Sequence, residues 1–269
     1  VRFRHSTAKY SCDDSGIYKG IESIKFLNSK VADELYELRN NTFNTFVDLL
    51  VQLKELSINS RQLDILIKLN FFEEFGEVNQ LLKQVELFDK FYGKKQFKKT
   101  KIQEIGIDCN IVEKYAGKVT EKMISNIDSV GLLGYLVNNT TYPQTTLADH
   151  FEYEKECLDQ VITIEPKADK RLYYVSAIKC TKSITIVSIY EIFSGKTREV
   201  KMWTSQYRNN PFDNGNILYI ISLEKKHKKE PTGEINEKTG KRIYRDVPDK
   251  FEYWLKSFTI KEGIEVGDE

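Results

Sequence analysis

Two lysine clusters and a set of strand-borne aromatic residues are what this 269-residue chain offers for chemistry. Lys94, Lys95, Lys98, Lys99 and Lys101 crowd one segment, and Lys225, Lys226, Lys228 and Lys229, with His227 among them, crowd another. Locally clustered ammonium groups suit phosphate. The net charge of +1 is therefore weaker evidence about nucleic acid than these two segments are. Lysine runs also describe plain solvated surface. Tyr174, Tyr190 and Trp203 fall in apolar, strand-like segments with Arg198 and Lys201 interleaved. Aromatic faces can stack on unpaired bases while cations follow the backbone, and the same aromatics can equally fill the interior of a small barrel.

Other chemistries find little support. The three histidines (His5, His150, His227) are scattered, and the four cysteines (Cys12, Cys109, Cys157, Cys180) form no CxxC pair, so neither a zinc site nor a nucleophile–base pair is expected. Asp13-Asp14 and Glu73-Glu74 are adjacent carboxylates whose side chains diverge on regular structure, so they are read as solvated surface. No apolar run is long enough to cross a bilayer, and the expected location is cytoplasmic, without membrane contact.

The elements that must position these residues change character along the chain. Val1 to Ser15 alternates as a half-buried strand would, and is read as a remnant strand of a preceding domain. From 16 to 137 the spacing predicts helices. Asn28-Ser29 caps one helix, Thr45 with Asp48 and Asn59 with Gln62 form capping boxes for two more, and Asn70 takes a left-handed closing position. Another helix runs to Gly93, and Ile111, Tyr115, Val119 and Met123 continue a helical spacing toward Ile127. Residues 138–170 read as a linker. From 171 to 269 the period becomes two, with strands at 172–179, 184–193, 196–203 and 217–224 and around 253–260. Ser194-Gly195 turns a hairpin, and a polar, lysine-rich excursion spans 225–245. The expected fold class is α+β, a helical domain followed by a five-stranded Greek-key barrel.

Three segments carry a family resemblance. Lys19-Gly20-Ile21-Glu22-Ser23-Ile24-Lys25-Phe26-Leu27-Asn28 resembles the G-L-x-x-I-K-G-V-G hairpin of C-family bacterial replicative polymerases, the DNA polymerase III α type. Asn44 to Leu49 resembles that family's F-x-S-L-x-D-F segment, and Ile58 to Phe72 its N-K-R-x-L-E-x-L-I-K-x-G-A-F-D segment. The resemblance implies a helix-hairpin-helix domain followed by an oligonucleotide-binding (OB) barrel. It also implies duplex contacts from Lys19, Lys25, Asn28, Lys30, Arg61 and Lys68, and single-strand contacts from Tyr174, Tyr190, Arg198, Lys201, Trp203, Lys225, Lys226, Lys228 and Lys229. Phe26 and Asn28 stand where the family has glycine, so the first hairpin either keeps its phosphate contact or has become a packing element.

Gln84, Leu87 and Phe88 fit the Q-x-x-L-F form with which such polymerases hold a sliding clamp, although Val85, Phe88 and Phe91 also suit a helix core. The family's catalytic aspartates and their magnesium ions belong to a palm domain, so no cofactor is expected in this chain. The expected partners are primer-template DNA, a clamp and other replisome subunits. The alternative expectation is a stand-alone protein-interaction module that recruits clamp or polymerase without DNA affinity of its own.

Overall fold

The computed structural model describes all residues except Ser15, Asn236, Lys238, Lys241 and 262–269. The chain divides into two units, Val1–Thr145 and Thr146–Glu269.

In the first unit, β1 (Ser11–Asp13) and β2 (Gly16–Tyr18) form a small antiparallel hairpin. Four helices follow: α1 (Ser29–Glu37), α2 (Phe46–Leu53), α3 (Ser60–Lys68) and α4 (Val78–Phe91). Their starts are where the sequence places them. Asn28 Oδ1 accepts from the Val31 amide at 3.0 Å, and Thr45/Asp48 and Asn59/Gln62 make reciprocal capping boxes. Asn70 closes α3 with a φ of 56°.

The expectation of a strand over residues 1–15 is corrected. Among the described residues of that stretch only Ser11–Asp13 forms a strand, and Phe3 near its start belongs to the helical core. Phe3 is buried in an aromatic cluster with Phe71, Phe72 and Phe75, and its amide donates to Phe71 O at 2.7 Å. Glu73 and Glu74, expected to be merely solvated, pair with Arg2 (2.5 Å) and Arg4 (2.8 Å) and fasten this segment.

Beyond α4 lie β3 (Gln96–Lys98), α5 (Lys99–Glu104), α6 (Cys109–Glu113), β4 (Ala116–Val119), β5 (Met123–Ile127) and α7 (Ser129–Asn139). The helical spacing read through 111–127 does not persist. Thr120 and Met123 close a turn by exchanging backbone and hydroxyl bonds of 2.8 to 3.0 Å, which folds β4 back on β5 in an antiparallel sheet of order β3-β5-β4.

In the second unit, α8 (Leu147–Leu158) precedes β6 (Leu172–Cys180), β7 (Ile184–Glu191), β8 (Lys196–Trp203), α9 (Thr204–Asn209), β9 (Ile217–Ile235) and β10 (Arg242–Lys261). The strands close a barrel of order β10-β8-β7-β6-β9, in which only the β8–β10 pair is parallel. Val175, Val187, Ile189, Val200, Met202 and Leu255 alternate inward and fill it. Gly195 turns the β7–β8 hairpin at a φ of 71°.

Two expectations change here. The supposed linker 138–170 contains the end of α7 and all of α8. α8 starts with a Thr146/Asp149 capping box and lays Leu147 and Phe151 on Tyr174, Tyr190 and Ile217. Glu154 is buried and satisfied by the amides of Ile162 (2.8 Å) and Thr163 (3.0 Å), which holds the following segment against the helix. Within the excursion 225–245, β9 continues to Ile235 and β10 begins at Arg242. β9 and β10 stay paired beyond the barrel, from Lys225↔Tyr253 to Ile235↔Arg242, as a two-stranded ribbon. Cross-strand charges support it, Arg245 with Glu230 at 2.7 Å and Lys229 with Asp246 at 4.0 Å.

Candidate nucleic-acid interface

In the first unit the candidate site forms around the turn Ile24–Leu27, closed by Leu27 N–H donating to Ile24 O at 3.1 Å. Phe26 takes the third position with a φ of 70°, the left-handed region that such a turn needs and that glycine fills without a Cβ clash. Asn28, at the other family glycine position, is extended instead (φ −141°) and caps α1. Gly20, at the front of the segment, is required for packing: a Cβ there would lie 2.6 Å from the backbone of Lys9.

α3 begins against this turn. Gln62 Nε2 donates to Phe26 O at 2.9 Å, and the Arg61 guanidinium lies 3.4 Å from the centroid of the Phe26 ring. Lys25 approaches that ring at 5.3 Å. Phe26 is 45% exposed, and Lys25 and Arg61 are exposed with no carboxylate partner among the described residues. Two cations thus flank one ring beside the first turn of α1, whose leading amides have no partner within the helix. The arrangement can receive a phosphate.

Residues 2–82 match the family model described as a helix-hairpin-helix motif. No curated protein matches the chain. The motif points to nucleic-acid binding, and its matched span contains both the Phe26 turn and α3.

The remaining residues expected in this region divide. Lys19, half-buried beside Gly20, carries no ion pair among the described residues. Lys30 is exposed and only loosely opposed by Glu34 at 3.8 Å. Lys68 does not join the site: it lies seven residues beyond Arg61, about 10 Å along α3, and pairs with Asp64 at 3.0 Å. The clamp reading of Gln84, Leu87 and Phe88 is also corrected. All three are buried on α4, and Phe88 stacks on Tyr92 at 4.5 Å, so the segment cannot extend into another protein's pocket.

On the barrel, the outward register runs across strands as Lys179↔Ile186, Ile186↔Lys201 and Lys201↔Trp254, with Trp203 opposite Ile184 alongside. Trp203 is 49% exposed and leans on Trp254 at 4.9 Å between centroids. Lys226 reaches over Trp254 at 5.1 Å, and Glu252 accepts from both Lys201 (2.5 Å) and Trp254 Nε1 (2.6 Å). Lys228 is close enough to help depress the Glu252 pKa, a shift to which the Lys201 and Trp254 bonds contribute more and which burial opposes most strongly. Trp254 and Glu252 carry no sequence signal that separates them from core or solvated residues; only the β8–β10 register brings them beside Lys201.

Tyr174 and Tyr190 are not part of this face. Tyr174 is 1% exposed, Tyr190 is buried beside it under Phe151, and the Tyr190 hydroxyl donates to Thr163 O at 2.8 Å. Arg198 points with the inward set and closes one mouth of the barrel between Tyr173 (6.0 Å), Tyr253 (5.7 Å) and Glu191 (3.6 Å). Lys225 lies on the ribbon over Phe251 at 3.8 Å, and Lys229 faces Asp246. Among the described residues no group of three or more His, Cys, Asp or Glu could hold a metal ion, and no helix is long and apolar enough to cross a membrane.

Proposed function

We propose that this chain grips DNA without sequence preference, as the DNA-binding portion of a replicative polymerase of the C family. The first unit holds the duplex through its backbone, and the barrel is an OB-fold that takes single-stranded template on the Trp203 face. The observation that carries the reading is the joining of two separate segments at one exposed turn. Gln62 and Arg61 bring α3 onto Phe26, and Lys25 and Arg61 stand there without carboxylates to neutralise them. Backbone amides and unpaired cations at a turn recognise phosphate and no base.

The barrel adds support through its strand order, its parallel β8–β10 closure and the helix between β8 and β9. On this reading nucleotidyl transfer and its magnesium ions belong to a palm domain of such a polymerase, and the present residues supply grip alone.

The test is fluorescence anisotropy with primer-template DNA across a salt series. We expect affinity to fall steeply with salt, and the slope of log K against log salt to shrink by about two in a Lys25→Ala/Arg61→Ala variant. Binding that is absent, or independent of salt, would replace this reading with that of a protein-interaction module.

A further inference from the structure

The lysine cluster of the first unit, within residues 94–101, lies outside the hairpin and is mounted on a fixed frame. Lys94, Lys98 and Lys101 line an open cavity of about 600 Å³ with Lys90, and Phe97, Ile105 and Met123 form its apolar wall. Lys90 is already neutralised by Glu86. Lys94, Lys98 and Lys101 are exposed and have no ion-pair partner among the described residues, and Asp89 is the one carboxylate on the rim.

Their supports are rigid. Lys98 is held in the sheet opposite Met123, Phe97 is buried against Phe91 at 5.2 Å, and Lys99 turns away to pair with Glu113 at 2.6 Å, fixing α5 to α6. Three exposed ammonium groups around one concavity, without carboxylate partners among the described residues, suit an anion there, and a frame that already orders the strand and helix bearing them lowers the entropy lost on binding.

Asp89 also borders a smaller cavity of about 150 Å³ that reaches Asn59 and Ser60, the start of α3, and Lys54 on its rim lies over Phe88 (5.0 Å) and Tyr92 (4.9 Å). The lysine groove therefore lies around the C-terminal end of α4 from the α3 start that bears Arg61. We infer that this groove is a second phosphodiester-binding site, contacting the backbone of the same DNA beyond the hairpin. The inference rests on the DNA-gripping reading above. Its apolar wall suits deoxyribose, and its charge suits successive phosphates.

The experiment compares the full chain with a Lys94→Ala/Lys98→Ala/Lys101→Ala variant and with the Lys25→Ala/Arg61→Ala variant, using a labelled duplex and, separately, a labelled oligoglutamate peptide. Because the three lysines are exposed, circular dichroism should show an unchanged fold. The expected result is a triple variant that binds duplex at least tenfold more weakly at low salt, with a salt slope lower by about three. A triple variant that matches the parent on duplex while the hairpin variant is weakened overturns the groove alone. Loss confined to the oligoglutamate peptide overturns it in favour of an acidic protein partner. If the parent itself binds no duplex, the DNA-gripping reading fails and the groove inference falls with it.

Discussion

Gln62 and Phe26 are joined by a single hydrogen bond that ties together segments 36 residues apart, with Gln62 Nε2 donating to Phe26 O at 2.9 Å. The other end of the same amide accepts from the Asn59 N–H at 3.0 Å and so completes the capping box of α3. One buried side chain thus starts a helix and fixes the turn that faces solvent. A carboxylate in its place could do only the first.

That asymmetry predicts different outcomes for two substitutions. Gln62→Leu leaves both the Asn59 N–H and the Phe26 carbonyl unpaired and should cost about 2 kcal/mol in urea unfolding. Gln62→Glu keeps the cap and loses the donor, so it should cost about 1 kcal/mol, while its charge beside Arg61 weakens duplex binding more than its stability loss explains. Equal stability losses from the two variants would mean that the bond from the Asn59 N–H contributes nothing, and a Gln62→Glu protein as stable as the parent would mean the same of the bond to Phe26.

Phe26 holds a left-handed backbone that ordinarily costs a non-glycine residue about 1 to 2 kcal/mol. Its ring recovers part of this through Lys25 and Arg61, at about 0.5 to 1 kcal/mol each for exposed pairs. Phe26→Ala keeps the strain and loses the ring, so it should be the least stable of the series, by about 1 kcal/mol. Phe26→Gly loses the ring and the strain together and should match the parent within about 1 kcal/mol, while binding duplex more tightly because a phosphate can approach the bare turn. Thermal unfolding and anisotropy on the three proteins check both orders, and an alanine variant as stable as the parent would remove the stabilising role given to the ring.

What the sequence made legible was mostly local. The Thr45/Asp48 and Asn59/Gln62 boxes, the left-handed Asn70 and the five strand positions depend on neighbours within a few residues, and each forms. What it hid depends on partners far along the chain. Period-two alternation cannot distinguish the inside of a barrel from an outer face covered by a helix, so Tyr174 and Tyr190 read as stacking platforms or as barrel filling, and not as the outer face that α8 covers. Lysine-rich, proline-bearing residues 225–245 read as a polar excursion between strands because a two-stranded ribbon needs no apolar face, only a partner strand. The Gly-to-Phe departure at 26 was visible, but not that Arg61 would stand on the ring.

On the barrel, Trp203 and Tyr190 should separate cleanly. Trp203→Ala removes the exposed ring and should weaken single-strand binding by about 1 to 3 kcal/mol, with less than about 1 kcal/mol lost in stability. Tyr190→Phe loses the bond to Thr163 O, about 1 kcal/mol of stability, and should leave binding unchanged. Anisotropy with an oligothymidine tests the pair, and a Tyr190→Phe protein that binds more weakly would return that residue to the interface.

Alkaline pH should loosen the second unit through Tyr174. Burial, and secondarily the charge of Glu152, pushes its pKa up to about 12, against about 10 in an unfolded chain. Between those values the folded barrel keeps the phenol proton and the unfolded chain has released it, so the unfolded state binds fewer protons and stability falls as pH rises. The contribution is fully present below about pH 10 and is lost by about pH 12, amounting to roughly 2–3 kcal/mol. Tyr173 and Tyr190, whose pKa values burial also raises, act in the same direction. Both tryptophans of the chain, Trp203 and Trp254, lie in this unit, so tryptophan fluorescence in urea follows its unfolding. The parent's midpoint should drop more steeply from pH 10 upward than that of a Tyr174→Phe protein, and parallel losses in the two would show that Tyr174 does not carry the proton linkage.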